Sequence, residues 1–385
     1  LKEVSYLNRY EKIYKQTMAG LLTLFIGGMF GINVLTPNKT FSDEENRKLE
    51  QFPAFSIQGL IEKKFTSNYE KYISDQFAFR DFWISVKSDM ERTIGKKENN
   101  GVYIGKDGFL LQNFSKPEEQ DVKNKIEAIN DFHIANPNVK MQVMLVPTAI
   151  SILENKLPNY VSHSDELTYI NKVKKSLDKD INFIDVYPVL SSKKDEYIYY
   201  KTDHHWTTKG AYYAYQELGK NMKFTPNKSD SFNIKEITNS FYGSIYSKAG
   251  FRNIDPDSIE LYEQKKANKY KVEYGDDSKT STSLYEMENI KKKDKYTVFF
   301  NGNHPLIKIK TDNKSGKKLL VVKDSYANSL LPFLLPHFSE IHIVDLRYYT
   351  DSLNMLVQKN KINDVLVLYN GNTFFEDSSI NNLSE

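Results

Sequence analysis

Lys201-Thr202-Asp203-His204-His205-Trp206-Thr207 sets a carboxylate and two imidazoles within three positions, and Lys323-Asp324-Ser325-Tyr326 brings a serine about 120 residues later. A nucleophilic hydroxyl, an imidazole to take its proton and a carboxylate to orient that imidazole are the parts of a serine acyl-transfer site. Ser325 follows the β-branched run Leu319-Leu320-Val321-Val322 and precedes Tyr326 to Leu331, which reads as helical until Pro332. A serine at a strand-to-helix junction lies at the carboxyl end of a sheet, where ligands bind in open α/β folds. The helix start also offers unpaired N–H groups to an oxyanion, with Tyr326 among the candidates. The bland alternative is an ordinary Asp-Ser helix cap.

Asp203 and His205 are two apart, so in an extended segment they share a side. The carboxylate then holds Nδ1 and leaves Nε2 for Ser325. Trp206 is expected to wall the imidazole from solvent, Thr207 or Thr208 to cap a following helix, and His204 to point the other way as a structural or rim residue. Metal chemistry finds little support, since no H-E-x-x-H or similar spacing occurs. With no cysteine in the chain, disulfides, thiolate nucleophiles and cysteine-ligated metals are excluded.

The elements that must carry these residues are readable in outline. The chain has 385 residues, 39% hydrophobic and 13% aromatic, which is enough for a sizeable core. Net charge is only +3, with no basic stripe, so a nucleic-acid partner is not expected. Thr17 to Leu35 is free of charge and long enough to cross a bilayer, and Lys2, Arg9, Lys12 and Lys15 precede it. We read an uncleaved anchor with a cytoplasmic amino terminus and an extracellular remainder. A cleaved signal peptide is the alternative, although Ile32 to Pro37 has no good small-x-small site.

The domain reading is a cytoplasmic tip and transmembrane anchor over 1–36, a helical connector over 37–100 and a catalytic α/β domain over 101–385. In the connector, Ser42 with Glu45 makes a capping-box pattern, and Gly59 to Lys87 has helical periodicity. In the domain, strand-like runs over 101–111, 139–147, 181–186, 319–323, 341–346 and 364–369 alternate with helical stretches at 117–135, 164–178 and 208–220. That alternation predicts a mostly parallel sheet flanked by helices. Residues 222–315 read as an insertion over one sheet edge, with a hairpin at Phe299-Phe300-Asn301-Gly302-Asn303.

The Asp-His-His-Trp and Lys-Asp-Ser-Tyr stretches resemble the DHHW family, SGNH-hydrolase-like relatives of the alginate O-acetylation proteins. Phe41 to Arg47, Asp75 to Asp81, Asn100 to Tyr103, Asn301 to Leu306 and Asp345 to Tyr349 extend the likeness. The resemblance implies an SGNH-type sheet with Asp203, His205 and Ser325 as the triad, and Arg347 beside the nucleophile to meet negative charge. Lys323 stands where relatives carry glycine, which is expected to narrow the approach to Ser325. Gly243 and Asn303 are oxyanion candidates or simple turn residues.

The expected activity is an extracytoplasmic O-acetyltransferase acting on a secreted or wall polysaccharide through an acyl-serine, with no cofactor. A membrane-bound O-acyltransferase is the implied acyl supplier. The same triad would serve a carbohydrate esterase if water reaches the acyl-enzyme. A non-catalytic polysaccharide-binding scaffold of an export complex is the third reading.

Overall fold

The computed structural model describes residues 2–42, 47–161, 164–266, 269–275 and 280–384. The chain divides into two compact units, residues 1–94 and 95–385.

In the first unit the helix Lys2–Leu35 contains Tyr10–Leu35, 26 residues whose most apolar 18-residue stretch has mean hydropathy 1.9, long and apolar enough to cross a membrane. The periodic stretch expected as one helix from Gly59 is three: Ile57–Ile61, Lys64–Asp75 and Arg80–Thr93. Lys63 and Phe79, both at φ 58, stand just ahead of the second and third, and this left-handed backbone breaks the run. Asp75 at the end of the second helix accepts both Arg47 guanidinium nitrogens, at 2.8 and 2.5 Å, and the Glu50 N–H at 2.8 Å. The capping box expected at Ser42 and Glu45 falls on residues 43–46, outside the described residues. Ser42 itself lies in a short strand paired with Arg47.

The second unit is built on an eight-stranded sheet. In chain order its strands are β1 Lys140–Val146, β2 Asn182–Phe183, β3 Tyr270–Tyr274, β4 Thr280–Ser281, β5 Leu306–Thr311, β6 Lys318–Lys323, β7 Glu340–Val344 and β8 Asp364–Asn370. Across the sheet they run β4-β3-β5-β7-β6-β8-β1-β2. The five from β7 to β2 are parallel, and β5, β3 and β4 continue antiparallel. This is the mostly parallel, helix-flanked α/β sheet that the alternating pattern predicts.

Both faces are covered. Leu319 and Val321 of β6 enter one apolar cluster with Trp206, Tyr326 and the helix Thr208–Met222, while Leu320 and Val322 enter another under the helix Glu119–Ala135. Side chains alternate across a strand, so a continuous apolar run means burial on both sides. That is why the inner strands read as unbroken Leu/Val runs.

Residues 222–315 are more than a cover over an edge. They supply β3, β4 and β5, extending the sheet, and a separate ribbon of Phe232–Phe241 against Asp257–Gln264. No hairpin forms at Phe299–Asn303. Phe300, Asn301 and Gly302 do turn with positive φ, but the strand that follows pairs with β3 and β7 instead of folding back. An Asn-Gly signal fixes a turn and leaves open which strand the exit segment joins.

Candidate active site

Ser325 lies two residues beyond β6, in a turn before the short helix Ala327–Leu330. The turn is fixed from beneath by the buried Asp324. Its Oδ1 accepts the Tyr326 N–H at 2.9 Å, and its Oδ2 accepts the backbone N–H and side-chain amide of Asn370 at 2.9 and 2.5 Å. Asn370 ends the neighbouring parallel strand β8, so the sheet register places these groups together. Burial raises the Asp324 carboxyl, and the Asn370 and Tyr326 hydrogen bonds oppose that.

Asp203, His204 and His205 are not in an extended segment. They sit in a turn closed by pairing of Tyr199 with Trp206 and by a hydrogen bond from the Tyr200 N–H to the His205 carbonyl at 3.2 Å. Asp257 of the ribbon pins the start of that turn. It accepts the N–H groups of Lys201 and Thr202, each at 2.8 Å, and the Thr202 hydroxyl at 2.5 Å. Thr207 then caps the helix Thr208–Met222 through the Gly210 N–H, so the far end is fixed too.

The two halves meet. The Ser325 Oγ lies 2.7 Å from His205 Nε2, and His205 Nδ1 lies 2.5 Å from Asp203 Oδ1. Asp203 cannot donate when ionised, so Nδ1 carries the proton and Nε2 accepts from the serine. Asp203 Oδ2 accepts the Ser244 N–H at 2.8 Å and its hydroxyl at 3.0 Å. Burial pushes the Asp203 carboxyl up, but the imidazoles and these donors outweigh it and hold it well below the usual carboxylate range. Asp203 and His205 are buried, whereas Ser325 is half-buried and reachable.

His204 does not point away. Its ring lies 3.8 Å from the His205 ring, and its Nδ1 is 2.6 Å from the Ser244 hydroxyl. Burial lowers its pKa to about 4, with His205 adding repulsion, although the side chain keeps 35% of its surface exposed. A tight turn replaces the strand alternation assumed from spacing, which is why the two imidazoles are neighbours. Asp203, His204 and His205 lie close enough to share a cation, but the contacts just described already engage both Nδ1 atoms and the carboxylate.

The wall over His205 is also different from the expected one. Tyr296 stacks on the imidazole at 3.7 Å with an 11° tilt, and its hydroxyl lies 3.2 Å from the Ser325 carbonyl. Trp206 is fully buried, its indole N–H bonded to the Tyr326 carbonyl at 2.9 Å, so it ties the two segments together from below. The Tyr326 ring is buried, with its hydroxyl on the His204 carbonyl. Its N–H is held by Asp324, so it is not an open oxyanion donor.

Gly243 is not one either, because its N–H donates to Thr202 Oγ1 at 3.1 Å. A Cβ at this position would overlap the Asp203 side chain. Glycine here allows the backbone to close over the carboxylate.

Asn303 has a different role. Lys323 Nζ donates to its Oδ1 at 2.7 Å and the Asn328 amide does so at 3.2 Å. Two donors on one oxygen fix the amide, and Nδ2 has no acceptor among the described residues. Lys323 is wholly buried and runs to Asn303 and to Asp345, 3.6 Å away, so it leaves the approach to Ser325 open. Burial lowers its pKa to about 8, against the pull of Asp345. Arg347 grips Asp345 through two bonds, at 2.8 and 2.6 Å, instead of presenting its fork to the nucleophile.

Sequence reasoning missed Tyr296, Ser244 and Asp257. None belongs to a motif, and Tyr296 and Asp257 sit in the Lys/Asn-rich stretch where periodicity is weak. Only Ser244 had a signal, as the neighbour of Gly243.

The fold is a helix-flanked α/β sheet with a serine, a histidine and an aspartate in line beyond its parallel strand β6. The DHHW protein family matches residues 129–344, and the chain belongs to that family. It is similar to a DHHW family protein from Eubacterium siraeum, at 25% identity and TM-score 0.65 over 74% of this chain and 95% of that one. It also shares its fold with PatB1 of Bacillus cereus, solved with a sulfonyl adduct, at 22% identity and TM-score 0.62 over 72% and 97%. A weaker likeness, TM-score 0.45 at 15% identity over 74% and 98%, is to the O-acetyltransferase domain of AlgJ from Pseudomonas putida. No curated protein matches the sequence.

Proposed function

We propose that the protein transfers an acyl group, most simply acetyl, to hydroxyls of a secreted or wall-associated polysaccharide, with residues 101–385 as the catalytic domain. The observation that carries this reading is the unbroken line from Asp203 through His205 to Ser325, at 2.5 and 2.7 Å. His205 Nε2 takes the Ser325 proton as Oγ attacks the donor carbonyl. Asp203 holds the tautomer and stabilises the imidazolium, which then protonates the leaving group. The acceptor hydroxyl gives its proton to the same nitrogen, attacks the acyl-serine, and Ser325 recovers its hydrogen from His205.

The developing oxyanion needs donors already in place. The Ser325 N–H, with no protein acceptor among the described residues, and the Asn303 amide are our choice. Arg347 we assign to neutralising Asp345, given its two-bond grip on that carboxylate. The apolar helix Tyr10–Leu35 supports tethering to the cytoplasmic membrane, and the basic residues before it favour an inner amino terminus. In that setting a membrane-bound O-acyltransferase supplies the acyl group.

The test supplies an aryl acetate with and without a neutral oligosaccharide and measures acetylated sugar against free acetate. Acetylated sugar is expected, along with an acetyl mark on Ser325 in the absence of acceptor. Free acetate alone would convert the reading to an esterase. No acetyl-serine and no turnover would leave the scaffold reading.

A further inference from the structure

A cavity of about 290 Å³ opens beside the His pair, at the carboxyl ends of β1, β8 and β6. His204 and Tyr326 form its inner wall, one ring away from His205. Four other lining residues, Gln112, Lys248, Asn372 and Glu376, come from three separate elements, and among the described residues their side chains have no hydrogen-bond or ion-pair partner. Lys248 and Glu376 are exposed, Gln112 is half-buried, and Asn372 is only 9% exposed, with its Oδ1 buried and unpartnered. Buried polar groups in a folded protein normally have partners. Polar capacity left unfilled on several walls of one cavity is what a polar ligand answers.

We infer that this cavity is the acceptor subsite and that it takes a neutral sugar unit. The inference rests on the acyl-transfer reading of the same site. Its volume lies at the lower end of the ~300–1,000 Å³ of small-molecule sites, so it suits one sugar and not a long oligomer. Side-chain amides both donate and accept, as sugar hydroxyls and acetamido groups do, and Gln112 and Asn372 offer that match. One cation and one anion on the lining cancel. A uronate or phosphate polymer calls for a surplus of cations instead. The position fits the chemistry as well: a sugar held against His204 directs a hydroxyl toward the neighbouring imidazole that must take its proton.

The experiment uses the full chain in detergent, an aryl acetate donor, and either a neutral N-acetylhexosamine oligomer or a uronate oligomer as acceptor. It reads the ratio of acetyl transferred to sugar over acetyl lost to water, a quantity independent of how much enzyme is folded. Gln112→Ala and Glu376→Ala are each expected to lower that ratio about tenfold by raising the acceptor KM, with kcat at saturating acceptor little changed, the effect of losing one or two hydrogen bonds. Lys235→Ala on the exposed ribbon is the control and keeps the wild-type ratio. An unchanged ratio in both cavity variants overturns the subsite, and so does an equal fall in transfer and hydrolysis. Preference for the uronate oligomer overturns the neutral class. A wild-type enzyme that forms no acetyl-serine instead removes the acyl-transfer reading, and the subsite falls with it.

Discussion

Two clusters of buried charge flank the end of β6, and they finish differently. Asp203 and His205 form a line whose last member, the Ser325 hydroxyl, reaches the surface. Lys323 and Arg347 gather around the Asp345 carboxylate, and Lys323 also holds the neutral Asn303. Burying a charge without partners is costly, so both clusters must be internally satisfied. The first is satisfied through a proton that can move. The second is satisfied through ion pairs that cannot, which suits holding a fixed dipole in place. The comparison separates chemistry from positioning within a few ångströms.

The largest effects test the mobile line. Ser325→Ala is expected to lower kcat by about 10⁴-fold or more while leaving the melting temperature close to wild type, because the triad acts as a unit. Turnover of the aryl ester and calorimetry read the two quantities. A variant with substantial residual turnover would move the nucleophile elsewhere. Asp203→Asn should lose about 10³- to 10⁴-fold, since an amide favours the wrong imidazole tautomer. Gly243→Ala tests the same line from outside: its methyl must displace Asp203, and a displacement near 1 Å costs about 10²-fold.

The fixed cluster predicts the reverse balance. Lys323→Met leaves Asp345 with Arg347 alone and Asn303 held only by Asn328, so stability should fall by about 2–3 kcal/mol in urea melts. The activity lost should be nearer tenfold and appear in kcat, as expected for a misaligned oxyanion donor. A loss on the scale of Ser325→Ala would break the distinction between the two clusters.

How far this contrast was legible in the sequence follows from the same difference. Asp203, His205 and Ser325 announce themselves because the proposed chemistry needs three particular residue types, two of them close in sequence. β6, β8 and β1 announce themselves because strands covered on both faces read as unbroken apolar runs. Tyr296 and Asp257 do not, because stacking on an imidazole or pinning a turn can be done from anywhere the chain passes. Lys323 and Arg347 were legible as charges but not as partners. That Lys323 faces Asn303, and that Arg347 faces Asp345 rather than Ser325, depends on the register of β7 against β6 and on the turn after β7. Spacing also misled at His204, where a turn took the place of the extended segment.

The smallest effect gives the sharpest separation, because the two clusters respond to pH in windows that do not overlap. The folded Asp203 carboxyl is held well below its unfolded value of about 3.9. Its stabilisation is therefore complete above about pH 4 and is lost as pH falls toward the folded value, where the unfolded chain binds the proton first. Lys323 is lowered to about 8 from an ordinary 10.5. Between those values the unfolded chain again holds more protons, so stability rises with pH from about 8 upward as the buried charge is relieved. Each slope amounts to about 1.4 kcal/mol per pH unit at most. Urea melts of the wild type against Asp203→Asn should differ by an amount that shrinks below pH 4 and is flat near pH 9. Against Lys323→Met the difference should be flat from pH 5 to 7 and change only in the alkaline window. Should either variant alter both windows, the clusters exchange charge through Asp324 and act as one, and the division between a moving proton and a fixed dipole would not hold.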